Sequence, residues 1–133
     1  MNITIDLSPL WISLQTAAAT IVVVFFLGVL AARWVEGLRS ESVKIFIDGL
    51  FTLPMVLPPT VAGFFLLFFF GNNRFIGKFF LENFGVQIAF SWLATVLAAA
   101  VIAFPLMYRS ARGALVQVDK GLSLIHISEP TRR

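Results

Sequence analysis

Few side chains in this sequence could do covalent or metal chemistry. There is no cysteine and a single histidine, His126. Disulfides, thiolate nucleophiles and cysteine-based metal sites are thereby excluded. A lone histidine in a short polar tail reads as a solvated residue rather than a ligand, so no metal site is expected. No Gly-Lys-Ser/Thr loop is present to cradle phosphates, and no cofactor is expected. The polar groups of interest lie instead in the backbone of TLPMVLPPTVAGFF, residues 52–65, where Pro54, Pro58 and Pro59 fall within six positions between Thr52 and Thr60. Each proline lacks an N–H and presses its ring against the carbonyl four residues earlier. The carbonyls of Leu50, Pro54 and Met55 are freed, and Leu53, Leu57 and Pro58 are biased toward extended geometry. Freed backbone groups and two hydroxyls can solvate a polar solute in passing.

The elements that must carry this stretch are set by composition. Of 133 residues 59% are hydrophobic, 15 are phenylalanine and only 13% are charged, the last about half the usual share. The mean hydropathy is +0.91. A soluble fold of this size could not hide so much apolar surface, so lipid is the expected solvent. The pI near 10.0 accompanies a net charge of only +3 and no basic run. Basic residues sit at the ends of apolar segments, which is membrane topology and no footprint for nucleic acid.

Three uncharged runs, Leu10 to Ala32, Gly49 to Asn73 and Asn83 to Tyr108, are each long enough to cross about 30 Å of hydrocarbon. The expected fold is all-α, a polytopic membrane protein with spans at about 10–33, 45–71 and 87–108. The first run is too long for a secretory signal, and no Lys or Arg precedes it. Trp11 and Trp34 bracket it, where interfacial aromatics belong, and the third run has Trp92 near one end and Tyr108 at the other. Arg33, Arg39 and Lys44 follow span one, Arg74 and Lys78 follow span two, and Arg109, Arg112 and Lys120 follow span three. The positive-inside bias then places the N-terminus outside and the segment after Tyr108 in the cytoplasm.

GNNRFIGKFFLENFG, residues 71–85, opens on turn residues and then spaces its phenylalanines three or four apart. A short amphipathic helix in the membrane interface is predicted there, either capping the other spans or docking a partner. Gly28 with Ala32, Ala94 with Ala98, and Ala99 with Ala103 place small residues four apart, which lets helices approach closely in lipid.

In hydrocarbon each unsatisfied carbonyl would cost several kcal/mol, so a proline break survives only under protein or beside a water-filled cavity. Proline is favoured at the first helical position, so a helix can restart at Pro59. Thr60 to Phe70 is then only ~16 Å long. Two readings follow. Two half-helices could meet near mid-membrane, as at substrate pathways whose half-helix N-termini favour anions. Alternatively, one kinked helix has its carbonyls rescued by Thr52 or Thr60.

TLPMVLPPTVAGFFLLFFFG, with the later FSWLATVLAAAVIAFPLMYRSARGALVQVD, resembles the permease subunit of bacterial molybdate ABC transporters over roughly residues 5–120. Related sulfate permeases tend to carry a single proline–threonine where this chain has Pro58, Pro59 and Thr60. The resemblance implies an inner-membrane importer in which two permease subunits meet two cytoplasmic ATPase subunits and a periplasmic molybdate-binding protein. The permease is then no enzyme, because ATP hydrolysis falls to its partner. The candidate translocation pathway is Thr52, Pro54, Pro58, Pro59 and Thr60, which follows from the broken helix and not from a matched ligand residue. Arg109, Arg112, Gly113, Gln117 and Asp119 match the approach to the segment that couples to the ATPase; the two arginines could equally only anchor span three. No Lys or Arg lies inside a span, so an anion would be solvated by N–H groups, hydroxyls and water, which suits passage better than tight binding.

After Asp119 the family continues into a coupling helix of the Glu-Ala-Ala type and further spans, whereas this sequence reads KGLSLIHISEPTRR. Residues 1–120 are therefore expected to be the N-terminal part of an importer transmembrane domain. Residues 121–133 resemble an adaptor-derived tail, with a divergent native tail as the alternative. The rival functions are a permease for tungstate or sulfate and, from another class, a non-transporting structural or assembly membrane protein.

Overall fold

A computed structural model describes residues 6–127. The chain is all helical there: α1 Ser8–Glu36, α2 Glu41–Val56, α3 Pro59–Phe70, α4 Phe75–Phe84 and α5 Trp92–Ile127. Helix α1 starts with proline in its first turn, and the Ser8 N–H donates to Asp6 Oδ1 at 3.0 Å, so one orphan donor of the helix end is met. Its buried residues are Thr16, Thr20, Val24, Gly28, Ala32 and Val35, a stripe at near-fourfold spacing that lies along α5.

The direction of that packing decides the topology. Trp92 Nε1 donates to Thr16 Oγ1 at 2.9 Å, and Arg112 Nε donates to Glu36 Oε1 at 3.0 Å. Between them, Gly28 lies against Met107 and Tyr108. Lower numbers meet lower numbers, so α1 and α5 run parallel. Thr16 and Glu36 are about 30 Å apart along α1 by the helical rise. The chain must therefore travel back by that length between Glu36 and Trp92. Helices α2 and α3 make the return: Phe51 contacts Phe104 and Tyr108, while Gly63 and Phe70 share a cavity wall with Ala94 and Ala98. α1 and α5 are each long and apolar enough to span a membrane, and the pair α2–α3, bent by 108°, counts as a third crossing when taken as one span.

Two helix ends differ from the expected limits. Helix α5 begins at Trp92 rather than near residue 87, because Gly85 closes α4 in the left-handed conformation (φ 63°), and Ser91 caps α5 by accepting the Ala94 N–H. α5 then runs unbroken past Tyr108 to Ile127, since no proline follows Pro105 before that point. His126 falls in its last turn, and residues 128–133 of the expected tail lie outside the described residues.

The amphipathic helix expected after span two is α4, with Lys78 and Glu82 paired at 3.7 Å. It packs on α3 at Gly77, where a Cβ would fall within 2.5 Å of the Phe70 carbonyl oxygen; only glycine permits that approach. Trp11 and Trp34 are well exposed, as interfacial residues would be, but Tyr108 is fully buried. Its ring stacks on Phe104 and meets Phe51 edge-on, so it belongs to the core with Ala32 and Val35 rather than to an aromatic belt.

Candidate functional site

The proline segment does break the span, but at fewer residues than expected. Pro54 sits inside α2, and Leu53 stays helical; losing one backbone bond bends a helix without ending it. The break is at Leu57 (φ −73°, ψ 139°) and Pro58 (φ −55°, ψ 140°). Each of these precedes a proline, which disfavours the α region for both, and here, unlike at Leu53, two such residues come in succession. The helix restarts at Pro59, where its missing N–H costs nothing.

Thr52 does not rescue the carbonyl that Pro54 frees. Its hydroxyl donates to the Asp48 carbonyl at 2.9 Å and lies 3.2 Å from that of Gly49, the two carbonyls just before that of Leu50. At the restart, the Val61 and Ala62 N–H groups donate to the Pro58 carbonyl at 2.9 and 3.1 Å. Pro59 has no N–H, so among the described residues the first turn of α3 offers a ligand only the Thr60 N–H and hydroxyl. On the α2 side, proline removes the N–H partners of the Leu50, Pro54 and Met55 carbonyls. The break thus presents more acceptors than donors, and an anion there would be held by one N–H, hydroxyls, water and the α3 dipole. Pro58, Pro59 and Thr60 are exposed, while Thr52 and Pro54 are half-buried. Beyond the break, Gly63, Leu66, Leu67 and Phe70 of α3 face Ala94, Leu97 and Ala98 of α5 across an apolar cavity of about 130 Å³.

The second group lies at the other end of α5. Arg109, Arg112, Gly113 and Gln117, joined by Asp48, Val116 and Lys120, line one open groove of about 470 Å³. The spacing explains the grouping, since residues 109, 113, 116, 117 and 120 recur on one helical face. Asp119 is not part of that lining and is exposed on α5. Arg112 also reaches two other helices: its Nε is 3.0 Å from Glu36 Oε1 on α1, and its Nη1 is 2.6 Å from Asp48 Oδ1 on α2. Lys44 Nζ lies 3.7 Å from Glu36 Oε2 and 3.9 Å from Glu41. Burial works against the Arg112 charge, but the hydrogen bonds to Glu36 and Asp48 outweigh it and hold its pKa above the ordinary arginine value.

Sequence reasoning missed Glu36 and Asp48 as partners of Arg112, and Lys44 as a second cation on Glu36. A signal was present: Asp48 is an acid bordering an uncharged run that ends in a break, and such a residue seeks a cation. It also missed the Trp92–Thr16 bond, because an aromatic near a span end reads first as an interfacial anchor. Among the described residues no group of three His, Cys, Asp or Glu is placed to hold a metal ion.

No family model matches the chain, and no solved structure matches it. Curated relatives do. It is 39% identical over 136 residues to permease protein YvgM of Bacillus subtilis, assigned to a molybdenum transport system, across 92% of this chain and 60% of that protein. It is 38% identical over 114 residues to the molybdenum transport system permease protein ModB of Haemophilus influenzae, across 86% and 49%. ModB of Escherichia coli is 50% identical over 76 residues, across 57% and 33%. The chain therefore spans between a third and three-fifths of the length of these relatives. Over the matched segments the chain is similar to bacterial molybdenum transport system permease proteins, and it spans only part of their length.

Proposed function

We propose that this chain is part of the membrane permease subunit of an ATP-driven molybdate importer and helps form the oxyanion pathway. The observation that carries the reading is its 38–50% identity to molybdenum transport permeases. Molybdate is preferred to tungstate or sulfate because those relatives are named for molybdenum. The broken span adds support, since a non-transporting membrane protein would have no use for exposed prolines and freed carbonyls in mid-run. The chain works with a second permease copy, a cytoplasmic ATPase that hydrolyses the ATP, a periplasmic molybdate-binding protein and bilayer lipid. It lies in the bacterial inner membrane with its N-terminus outside. Parallel packing of α1 and α5 gathers Arg33, Arg39, Lys44, Arg109 and Arg112 at one end, and that end is cytoplasmic by the positive-inside rule. Residues 1–120 belong to the transmembrane domain and residues 121–133 are foreign to it.

In mechanism, a tetrahedral dianion passes Thr52, Pro54, Pro58, Pro59 and Thr60. Few donors and several acceptors meet it there, so it is not retained. Arg109, Arg112, Gly113, Gln117 and Asp119 form the approach to the ATPase. The test is the double substitution Pro58→Ala, Pro59→Ala in the full-length permease, which returns two helix N–H donors and straightens the span. ATP-driven molybdate uptake per assembled complex, measured in vesicles, is expected to fall sharply while assembly and molybdate binding by the periplasmic partner are unchanged. Normal uptake by a well-assembled double mutant would leave the prolines as packing residues only.

A further inference from the structure

Helix α2 has no fully buried residue, and its side-chain attachments named below lie in its first three turns, Glu41 to Phe51. Ile47 and Phe51 pack against the core of Ala32, Val35 and Tyr108, and Lys44 and Asp48 make the ion pairs. Past Phe51 the helix continues through Thr52 and Pro54 to the break at Leu57, about 13 Å beyond Asp48 by the helical rise. It is a lever clamped at one end. The clamp is one planar guanidinium bridging a carboxylate on α1 and a carboxylate on α2, with Lys44 closing the cluster. Two cations face two carboxylates, so the half-buried group is neutral as a whole, and removing one member leaves an uncompensated charge.

We infer that Arg112 is a positioning residue. By holding Glu36 and Asp48 together it fixes the first turns of α2 against α1 and α5, and so sets where the Leu57–Pro58 break lies. Arg112 also lines the groove at the cytoplasmic end of α5, so a displacement of that end by the ATPase would be passed through Asp48 to the break. This last step rests on the transport reading above; the clamp itself does not.

Arg suits both carboxylates at 3.0 and 2.6 Å better than Lys does. Its Nε and Nη1 diverge in one plane, whereas a lysine ammonium is a single point. The Arg112→Lys variant therefore keeps the charge and loses the bridge, and it separates a positioning role from a merely electrostatic one. Exchanging the charges, Arg112→Asp with Asp48→Arg, restores the α2–α5 pair and leaves Glu36 to Lys44.

The experiment uses the full-length permease assembled with its partners, with spin labels on cysteines placed at the exposed positions Leu14 and Val56. The described chain has no native cysteine to interfere. With the labels on one of the two permease copies only, the parent should give one narrow distance distribution. Arg112→Ala and Arg112→Lys should broaden it, and the charge exchange should narrow it again. In vesicles the two single variants should take up molybdate about tenfold more slowly per complex while ATP hydrolysis continues, and the exchange should recover most of the rate. An unbroadened distribution in Arg112→Lys, with uptake still coupled to hydrolysis, overturns the inference. Failure of the charge exchange to narrow the distribution overturns it too. If the distances respond as expected but the parent complex moves no molybdate, the transport reading fails and the clamp stands.

Discussion

The parallel contact of α1 and α5 is tested most sharply at Gly28. A Cβ built there would lie 2.7 Å from Met107 Cγ, 3.1 Å from Met107 Cβ and 3.3 Å from the Tyr108 backbone nitrogen. Met107 Cγ can swing aside by rotation of the side chain, but Met107 Cβ and the Tyr108 nitrogen are fixed by the α5 backbone. Gly28→Ala gains about 1 kcal/mol of helix propensity and loses a similar amount to the displaced methionine, so its net effect should lie within about 1 kcal/mol of zero. Gly28→Leu adds three further carbons in the direction of the Tyr108 backbone and should cost about 3 kcal/mol, the upper end for overpacking. Met107→Ala should recover part of that loss, because it opens space on one side of the new side chain. The assay is unfolding by titration with sodium dodecyl sulfate in mixed micelles, followed by tryptophan fluorescence. A Gly28→Leu chain that unfolds with the parent would refute parallel packing of α1 on α5 at this position, and with it the need for α2–α3 to recross the membrane.

Further expectations follow from the same geometry. Cysteines at Ser40 and Asn73 should label from opposite sides of the membrane, Asn73 from outside; labelling of both from one side would mean that α2–α3 turns back without crossing. Trp92→Phe removes the hydrogen bond to Thr16 and keeps most of the ring, so it should cost about 0.6–1 kcal/mol in the detergent titration; no change would show that the indole N–H finds an equal partner elsewhere. Deleting residues 121–133 should leave insertion of the three spans unchanged, and a large loss of inserted protein would show that the tail belongs to the fold.

The helical class and the crossings were legible because long uncharged runs admit few other structures in lipid. The break was legible because proline acts locally, on its own ring and the residue before it. How far the break extended was not: Pro54 lies within a helix that remains formed on both sides, and a single lost bond does not outweigh that continuity. The five residues of the candidate coupling approach were picked by resemblance, and helical spacing accounts for four of them sharing a groove. Asp119, seven residues after Arg112, does not line that groove and is exposed. The clamp was hidden for a different reason. Glu36, Asp48 and Arg112 are separated by many residues, and only the parallel register of α1 and α5 brings them within hydrogen-bonding distance.

Uptake of radiolabelled molybdate is the most direct measurement, using inside-facing vesicles that contain the full-length permease, its ATPase and its binding protein. The account predicts ATP-dependent accumulation that requires all three proteins and is suppressed by unlabelled molybdate more strongly than by equal sulfate or tungstate. Accumulation that does not depend on the permease, or that sulfate suppresses more strongly than molybdate does, would contradict it.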